Sequence, residues 1–395
     1  MPIRCRACAG LLVLLMSSAG HSQALRRLDG LSLNEHDVDK SIEALRRADS
    51  VPGIAVALIR DGKIVYLQAF GERRLSPALP LTCQTAMRAA SLTKAMFGYV
   101  VMQLVDERRV DLDRSIAEYL PKPLPEYAQY ADLAGDARWR KLTFRILLDH
   151  STGFANYRSF ENDKKLRFHW DPGTRYGYSG EGINLAQFVL EQGLHLDLER
   201  EFRKRVFNRF HMTRSSLVWE PKFGDNATVG YTPDGRSVLY DRSTRPHAAS
   251  SLITTASDWS KFLAAVARGD GLTPASKAEM IRLQIPIHTA TQFPTLIAKQ
   301  SSKYSAIHLG YGLGWGVFKT PFGQAFFKEG HDDGVANYAM CVQPRRACIL
   351  LMSNSDHAEG IFKPLVDLLM GDTRLPWRWE GYIPYRQTGL RPINV

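Results

Sequence analysis

One serine and one lysine stand three residues apart at the start of a long apolar stretch of this 395-residue chain. They are Ser91 and Lys94, in the segment RAASLTKAMFGYVVMQL, whose apolar residues have the spacing of a buried helix face. Residues three apart share one face of a helix, so the lysine can reach the serine hydroxyl. Apolar surroundings lower the pKa of a lysine, which can then accept the serine proton. The pair predicts a nucleophile and its base, while an ordinary helix N-cap remains the alternative for the serine.

Several further segments, in a fixed order, bear on that choice. VPGIAVALIRDGKIVYLQAFG, LTFRILLDHSTGF, WDPGTRYGYSGEG, SSLITTASDWSKF and YGLGWGV accompany the Ser-x-x-Lys motif. Together they resemble the serine β-lactamase and penicillin-binding protein family, specifically its branch of class C β-lactamases, D-Ala-D-Ala carboxypeptidases and esterases. The resemblance spans about residues 50–370. It implies that Ser91 forms an acyl-enzyme and that Lys94 is its base.

The second motif of this family is Tyr-x-Asn, and Tyr178-Ser179-Gly180 falls in its place. The resemblance implies that Tyr178 moves protons between the nucleophile and the leaving group; a buried core tyrosine is the alternative. Gly180 departs from the family pattern, in which an amide side chain helps to hold the lysine and the substrate amide. Its absence puts amide recognition in doubt.

The third motif is Lys-Thr-Gly in many members and His-x-Gly in others. The candidate segment is KEGHDDG, in which Lys328-Glu329-Gly330 leads into His331. We assign the motif's basic position to His331, whose imidazole is expected to bond a substrate carbonyl or the Tyr178 phenol. A structural histidine at a strand end is the alternative.

Two carboxylates follow His331, and one of them departs from the family pattern. Asp333 stands where the family usually has glycine, beside Asp332. Both should raise the pKa of His331 and repel a substrate carboxylate, which β-lactams and peptides ending in D-Ala carry. An ester is therefore the favoured substrate. By the family pattern, the amides of Gly334 and Ser91 would form the oxyanion hole.

The elements that position these residues are strands at both ends of the chain and helices between them. Residues 51–71 have the pattern of a hairpin around Asp61-Gly62, and four strand-like runs follow residue 310. We expect an α/β protein of the α+β type: one antiparallel sheet from the N- and C-terminal segments, flanked by helices. A mostly helical lobe, about residues 91–270, would be inserted into it, and the whole of 25–395 would form one domain.

The first 24 residues have the pattern of a secretory signal peptide, with two arginines, the apolar run LLVLLM and small residues before Ala24. We expect cleavage there and export, to a bacterial periplasm; an uncleaved membrane anchor is the alternative. The formal net charge is +11, but the basic residues are dispersed, which disfavours a nucleic-acid partner.

Five cysteines are present, and two of them belong to the expected signal peptide. Cys341 and Cys348 lie in two runs that read as a hairpin turning at Pro344-Arg345, where they would face each other. A cross-strand disulfide is one hypothesis, and two small buried residues is the other. No histidine or cysteine spacing indicates a metal site, and no cofactor is expected.

Three rival functions remain at this point. Ser179 lies in GYSGEG, which resembles the nucleophile elbow of an α/β-hydrolase but lacks its last glycine. A metal hydrolase is the second rival, but the sequence contains no metal-ligand motif. A catalytically silent module that binds cell-wall peptides or senses β-lactams is the serious alternative. We expect a serine hydrolase that acts on the ester, amide or β-lactam-like carbonyl of a small-molecule or peptide acyl substrate, with an ester favoured; its oligomeric state is open.

Overall fold

The computed structural model describes residues 25–239, 242–296 and 299–382. The expected signal peptide, residues 1–24, lies outside the described residues. No described helix has both the length and the apolar character needed to cross a membrane.

The described residues form fifteen strands and nine α-helices, joined by loops, short 3-10 helices and one π-helical segment, Arg203–Phe207. The strands are β1 (Leu25–Arg26), β2 (Ser32–Leu33), β3 (Gly53–Arg60), β4 (Lys63–Leu75), β5 (Ala78–Pro80), β6 (Met87–Arg88), β7 (Gly230–Tyr231), β8 (Ser237–Val238), β9 (Ile253–Thr254), β10 (Ile285–Pro286), β11 (Gly310–Tyr311), β12 (Gly316–Thr320), β13 (Gly323–Asp332), β14 (Val335–Val342) and β15 (Ala347–Ser353). The helices are α1 (Glu35–Ala48), α2 (Leu92–Asp106), α3 (Phe144–Leu148), α4 (Gly180–Leu194), α5 (Leu198–Phe202), α6 (Ala256–Arg268), α7 (Pro274–Met280), α8 (Glu359–Met370) and α9 (Trp377–Glu380).

Nine strands form one antiparallel sheet in the order β10-β11-β12-β13-β14-β15-β3-β4-β5. The pairing of β15 with β3 joins the two ends of the chain at the centre of the sheet. Asp61 and Gly62 both have positive φ between β3 and β4, as the predicted tight turn requires. The predicted sheet, made of N- and C-terminal segments around a helical insertion, is confirmed.

Each face of the sheet has its own hydrophobic core. Helices α2 and α6 pack on one face, and α1 and α8 pack on the other. Helix α2 differs from expectation: residues 92–104 are all buried, not only those on one face. It is buried around its whole circumference because it lies between the sheet and the helical lobe.

Cys341 and Cys348 are direct cross-strand partners on β14 and β15, and they form a disulfide. The strands are joined by a 3-10 turn over Gln343–Arg345, where the hairpin was predicted. The disulfide hypothesis is confirmed, and Cys83 carries a free thiol.

Candidate active site

Ser91 precedes the first turn of α2 but does not cap it. Its side chain makes no capping hydrogen bond, and its backbone is already helical. The preceding Ala90 has φ of 46°, a left-handed conformation that is strained for a residue with a side chain. The Ser91 Oγ instead accepts a hydrogen bond from Lys94 Nζ at 3.0 Å. The N-cap interpretation is therefore wrong.

Lys94 is completely buried, with no carboxylate among its hydrogen-bond partners. Besides Ser91, its Nζ contacts the backbone oxygen of Ala249 at 2.7 Å. Burial, followed by the nearby charge of Lys328, lowers the pKa of Lys94 well below its usual value. A neutral amine beside a hydroxyl is the arrangement of a general base and its nucleophile.

Tyr178 completes this group from the loop before α4. It is buried, its phenol is hydrogen-bonded to Ser91, and its ring centroid lies 5.1 Å from Lys94 Nζ. Burial and the charge of Glu329 raise the pKa of Tyr178 well above 10, so the phenol keeps its proton at neutral pH. His150 packs on it, with ring centroids 4.3 Å apart.

Lys328, and not the side chain of His331, lies at this site. It is buried on β13, and its Nζ donates to Tyr178 Oη at 3.1 Å and to Glu329 Oε1 at 2.6 Å. The motif's basic position therefore belongs to Lys328 in the sequence Lys-Glu-Gly. Glu329 replaces the usual threonine and supplies a buried counterion.

The side chain of His331 lies on the opposite face of the sheet, so the expectation for its imidazole is corrected. Side chains alternate along a strand, and His331 is an odd number of residues from Lys328. Its Nδ1 pairs with Glu359 of α8 at 2.6 Å. Although desolvation opposes it, Glu359 raises the pKa of His331 to about 9. This ion pair joins β13 to α8, away from Ser91.

The expected roles of Asp333 and Gly334 are also corrected. The two residues form the turn between β13 and β14, where Asp333 is exposed. The Gly334 amide bonds the carboxyl group of Asp356 and therefore does not face the nucleophile. Asp332 is paired with Arg88, so one of the two expected carboxylate charges is neutralised.

A backbone amide next to Ser91 comes from His331 instead. Strand β12 pairs with β13 only as far as Phe327, and alternate residues of β13 direct their amides to that side. Because of this alternation, the His331 amide points to the side of β13 on which β12 lies, at a position where β12 has already ended. A Cβ on Gly330 would lie 2.4 Å from the backbone oxygen of Ala89, so this part of β13 touches the start of α2. The amides of His331 and Ser91 therefore border the space in front of the Ser91 hydroxyl.

Gly180 is the position at which the second motif departs from the family pattern, and the space that a side chain there would need is filled by a neighbouring ring. A Cβ on Gly180 would lie 2.5 Å from Cε1 and Cζ of Tyr157 and 2.7 Å from its Oη. The Tyr157 hydroxyl is hydrogen-bonded to Ser250. Nothing in the sequence pattern singled out Tyr157.

Ser179, the rival nucleophile, is a buried N-cap. Its Oγ accepts from the Gly182 amide at 3.1 Å and donates to the Ala155 oxygen at 2.9 Å. Both bonds hold the start of α4, which leaves no hydroxyl exposed to a substrate. The elbow interpretation is wrong.

A family model described as beta-lactamase matches residues 38–369. The chain belongs to the beta-lactamase family. It is 24% identical over 384 residues to penicillin-binding protein 4 of Amycolatopsis lactamdurans, covering 89% of this chain and 93% of that protein. It is 29% identical to a D-aminopeptidase of Brucella anthropi, over 46% of this chain and 36% of that protein.

Among solved structures, it is similar to the D-alanine carboxypeptidase AmpC from Burkholderia cenocepacia. The TM-score is 0.66 at 18% identity, covering 85% of this chain and all of that one. This likeness shows the fold. Its family and these relatives identify the chain as a serine hydrolase.

Proposed function

We propose that the chain is an exported hydrolase that acts through an acyl-serine intermediate, with an uncharged ester as its preferred substrate. The observation that carries the proposal is the contact between Ser91 Oγ and a buried Lys94 Nζ at 3.0 Å. The signal-peptide pattern of residues 1–24 supports export.

Acylation would begin with Lys94. Its neutral amine takes the proton of Ser91 as the serine oxygen attacks the substrate carbonyl. The negative charge that develops on the carbonyl oxygen is stabilised by the amides of Ser91 and His331. These amides are fixed by α2 and β13, so no reorganisation is needed when the charge forms.

Tyr178 would then release the leaving group. Its raised pKa keeps the phenol protonated, and its contact with Lys328 polarises that proton. Tyr178 donates the proton to the leaving alcohol and recovers one from Lys94. In deacylation a water gives its proton to the same pair, attacks the acyl carbon, and the Ser91 oxygen leaves protonated. The sum is ester plus water to acid plus alcohol.

The charges around the site favour an uncharged substrate. Lys328 is paired with Glu329, and Arg88 with Asp332, while Asp333 is exposed on the adjoining turn. Both cations thus already contact carboxylates. To pair with either of them, a substrate carboxylate would have to displace the carboxylate that is already bound.

Intact-mass spectrometry over time tests the proposal. The protein is mixed with a small aryl ester, beside Ser91→Ala and the control Ser41→Ala in helix α1. We expect a transient adduct of acyl mass on the unmodified and Ser41→Ala proteins, and none on Ser91→Ala. An adduct on Ser91→Ala would refute the assigned nucleophile. An adduct that forms and never decays would favour the silent sensing module.

Substrate charge is tested with the same acyl group bearing a carboxylate. We expect kcat/KM to fall by at least tenfold for the carboxylate ester. Equal values would leave the nucleophile assigned and refute the preference for an uncharged substrate.

A further inference from the structure

The ring of Tyr157 occupies the place from which residue 180 would project a side chain. The close approach is to one tyrosine side chain, at two ring carbons and the hydroxyl oxygen. Gly180 is the first residue of α4 and has no positive φ, so its backbone does not require glycine. Tyr157 is what excludes a side chain there.

The loop that carries Tyr157 is fixed on both sides to the first turn of α4. Asn156 accepts the Gly180 amide through Oδ1 at 2.9 Å and the Glu181 amide through its backbone oxygen at 2.9 Å. Arg158 donates three hydrogen bonds to the Glu181 carboxylate, one from its backbone amide at 2.9 Å and two from its guanidinium at 3.0 and 2.9 Å. Tyr157 is therefore held in a defined position relative to the second motif.

Tyr157 also belongs to an aromatic surface that reaches solvent. It is only partly buried, and its ring meets Phe160 edge-on, with centroids 5.8 Å apart. Phe160 is 50% exposed, which is unusual for a large apolar side chain. Phe293 packs on Tyr178, with ring centroids 5.5 Å apart. Tyr157 itself interacts electrostatically with Tyr178, so the aromatic surface of Tyr157 and Phe160 adjoins the second motif.

We infer that Tyr157 replaces the amide of the second motif as the specificity-determining residue, and that Tyr157 and Phe160 bind an apolar, aryl or alkyl, portion of the ester. This inference rests on the proposed function. The ring occupies the space that an amide side chain would need, and the hydroxyl, held by Ser250, presents a single polar atom in its place. An apolar group is selected by the rings, and a substrate amide loses its partner.

Binding to the Ser91→Ala protein tests the aromatic surface without needing turnover. The probe is 4-nitrophenyl butyrate, followed by calorimetric titration. Tyr157→Ala and Phe160→Ala, each in the Ser91→Ala background, are expected to weaken binding by at least fivefold. The control Leu31→Ala, another exposed apolar residue, is expected to leave it unchanged. Equal affinities in all of these proteins would overturn the inference, whether or not the unmodified protein forms an adduct.

Variants at positions 157 and 180 test whether Tyr157 excludes an amide side chain from position 180. Gly180→Asn alone should lower acylation by at least tenfold, because its Cβ overlaps Tyr157. Tyr157→Ala/Gly180→Asn should recover acylation and raise the ratio of anilide to ester kcat/KM at least tenfold over Tyr157→Ala. Tyr157→Phe should raise KM for the ester about threefold with kcat unchanged. If Gly180→Asn is fully active, or the double variant is no better than Gly180→Asn, the inference is wrong.

Discussion

Glu329→Gln removes one charge from a buried ion pair while keeping the shape of the side chain. Glu329 Oε1 lies 2.6 Å from Lys328 Nζ, and both residues are almost completely buried. Burial already lowers the pKa of Lys328, and Glu329 opposes that shift. Without the carboxylate, burial acts on the lysine almost unopposed.

The cost has an upper bound, because the lysine can give up its proton on folding. An unfolded lysine titrates near 10.4, and each pKa unit corresponds to about 1.4 kcal/mol. Neutralising Lys328 at pH 7 therefore costs at most about 4.6 kcal/mol, and at pH 10 about 0.5 kcal/mol. Removing one partner of a buried ion pair generally lowers the free energy of unfolding by about 3–5 kcal/mol. We expect Glu329→Gln to lose about 3 kcal/mol at pH 7.

Urea unfolding at several pH values measures this. In the variant the unfolded chain binds one more proton than the folded one, so its stability rises relative to the unmodified protein as the pH increases from 7 to 10. The deficit should shrink to below about 1 kcal/mol. The control Glu118→Gln breaks an exposed pair with Arg114, and should cost less than about 0.5 kcal/mol at every pH.

Two results would refute this reasoning. A loss below about 0.5 kcal/mol at pH 7 would mean that Glu329 does not stabilise a charged Lys328. An equal loss at pH 7 and pH 10 would mean that Glu329→Gln acts through packing rather than charge.

Three further predictions follow from the described contacts. Lys94→Met keeps the apolar volume but removes the base, so the rate of acyl-adduct formation should fall by about 10²- to 10⁴-fold; a smaller effect would exclude it as the base. Replacing Cys341 and Cys348, seven residues apart, by alanine should cost about 2.5 kcal/mol in urea unfolding, and an unchanged midpoint would contradict this. His331→Gln should lower the free energy of unfolding by about 1 kcal/mol at pH 6.5 and leave it unchanged near pH 10. The figure at pH 6.5 is reduced because the His331 side chain is 39% exposed to solvent. The sign follows from the pKa of His331, which is raised to about 9: the ion pair stabilises the folded protein fully below pH 6.5, and this stabilisation is lost as the pH rises through 9. A destabilisation by His331→Gln that grows with pH would refute the prediction.

The hairpin of the sheet and the contact between Ser91 and Lys94 were predictable because their signals are local. Asp61-Gly62 defines its own hairpin, and the three-residue spacing of Ser91 and Lys94 is fixed once α2 forms. The disulfide followed from a hairpin register centred on its turn. Each of these inferences needs only a few neighbouring residues.

The third motif was assigned wrongly because the sequence gives no absolute register for β13. Lys328 and His331 are three residues apart, so a choice between them is a choice between the two faces of the sheet. The contact that decides it, Gly330 against Ala89, joins residues more than two hundred positions apart. Tyr157 was missed because its contact with Gly180, between a loop and the first turn of α4, is likewise a tertiary contact that no local pattern indicates.

The site contains two buried lysines that the proposed reaction needs in opposite states, and their partners separate them. Lys94 contacts a hydroxyl and a backbone oxygen, neither of which carries charge, so its amine is free to accept a proton. Lys328 contacts a carboxylate, which favours its charged form. Burial lowers the pKa of Lys94 most, and the positive charge on Lys328, since like charges repel, lowers it further, while Glu329 opposes both effects. The charged form of Lys328 therefore does two things at once: it polarises the Tyr178 phenol and helps to keep the base neutral.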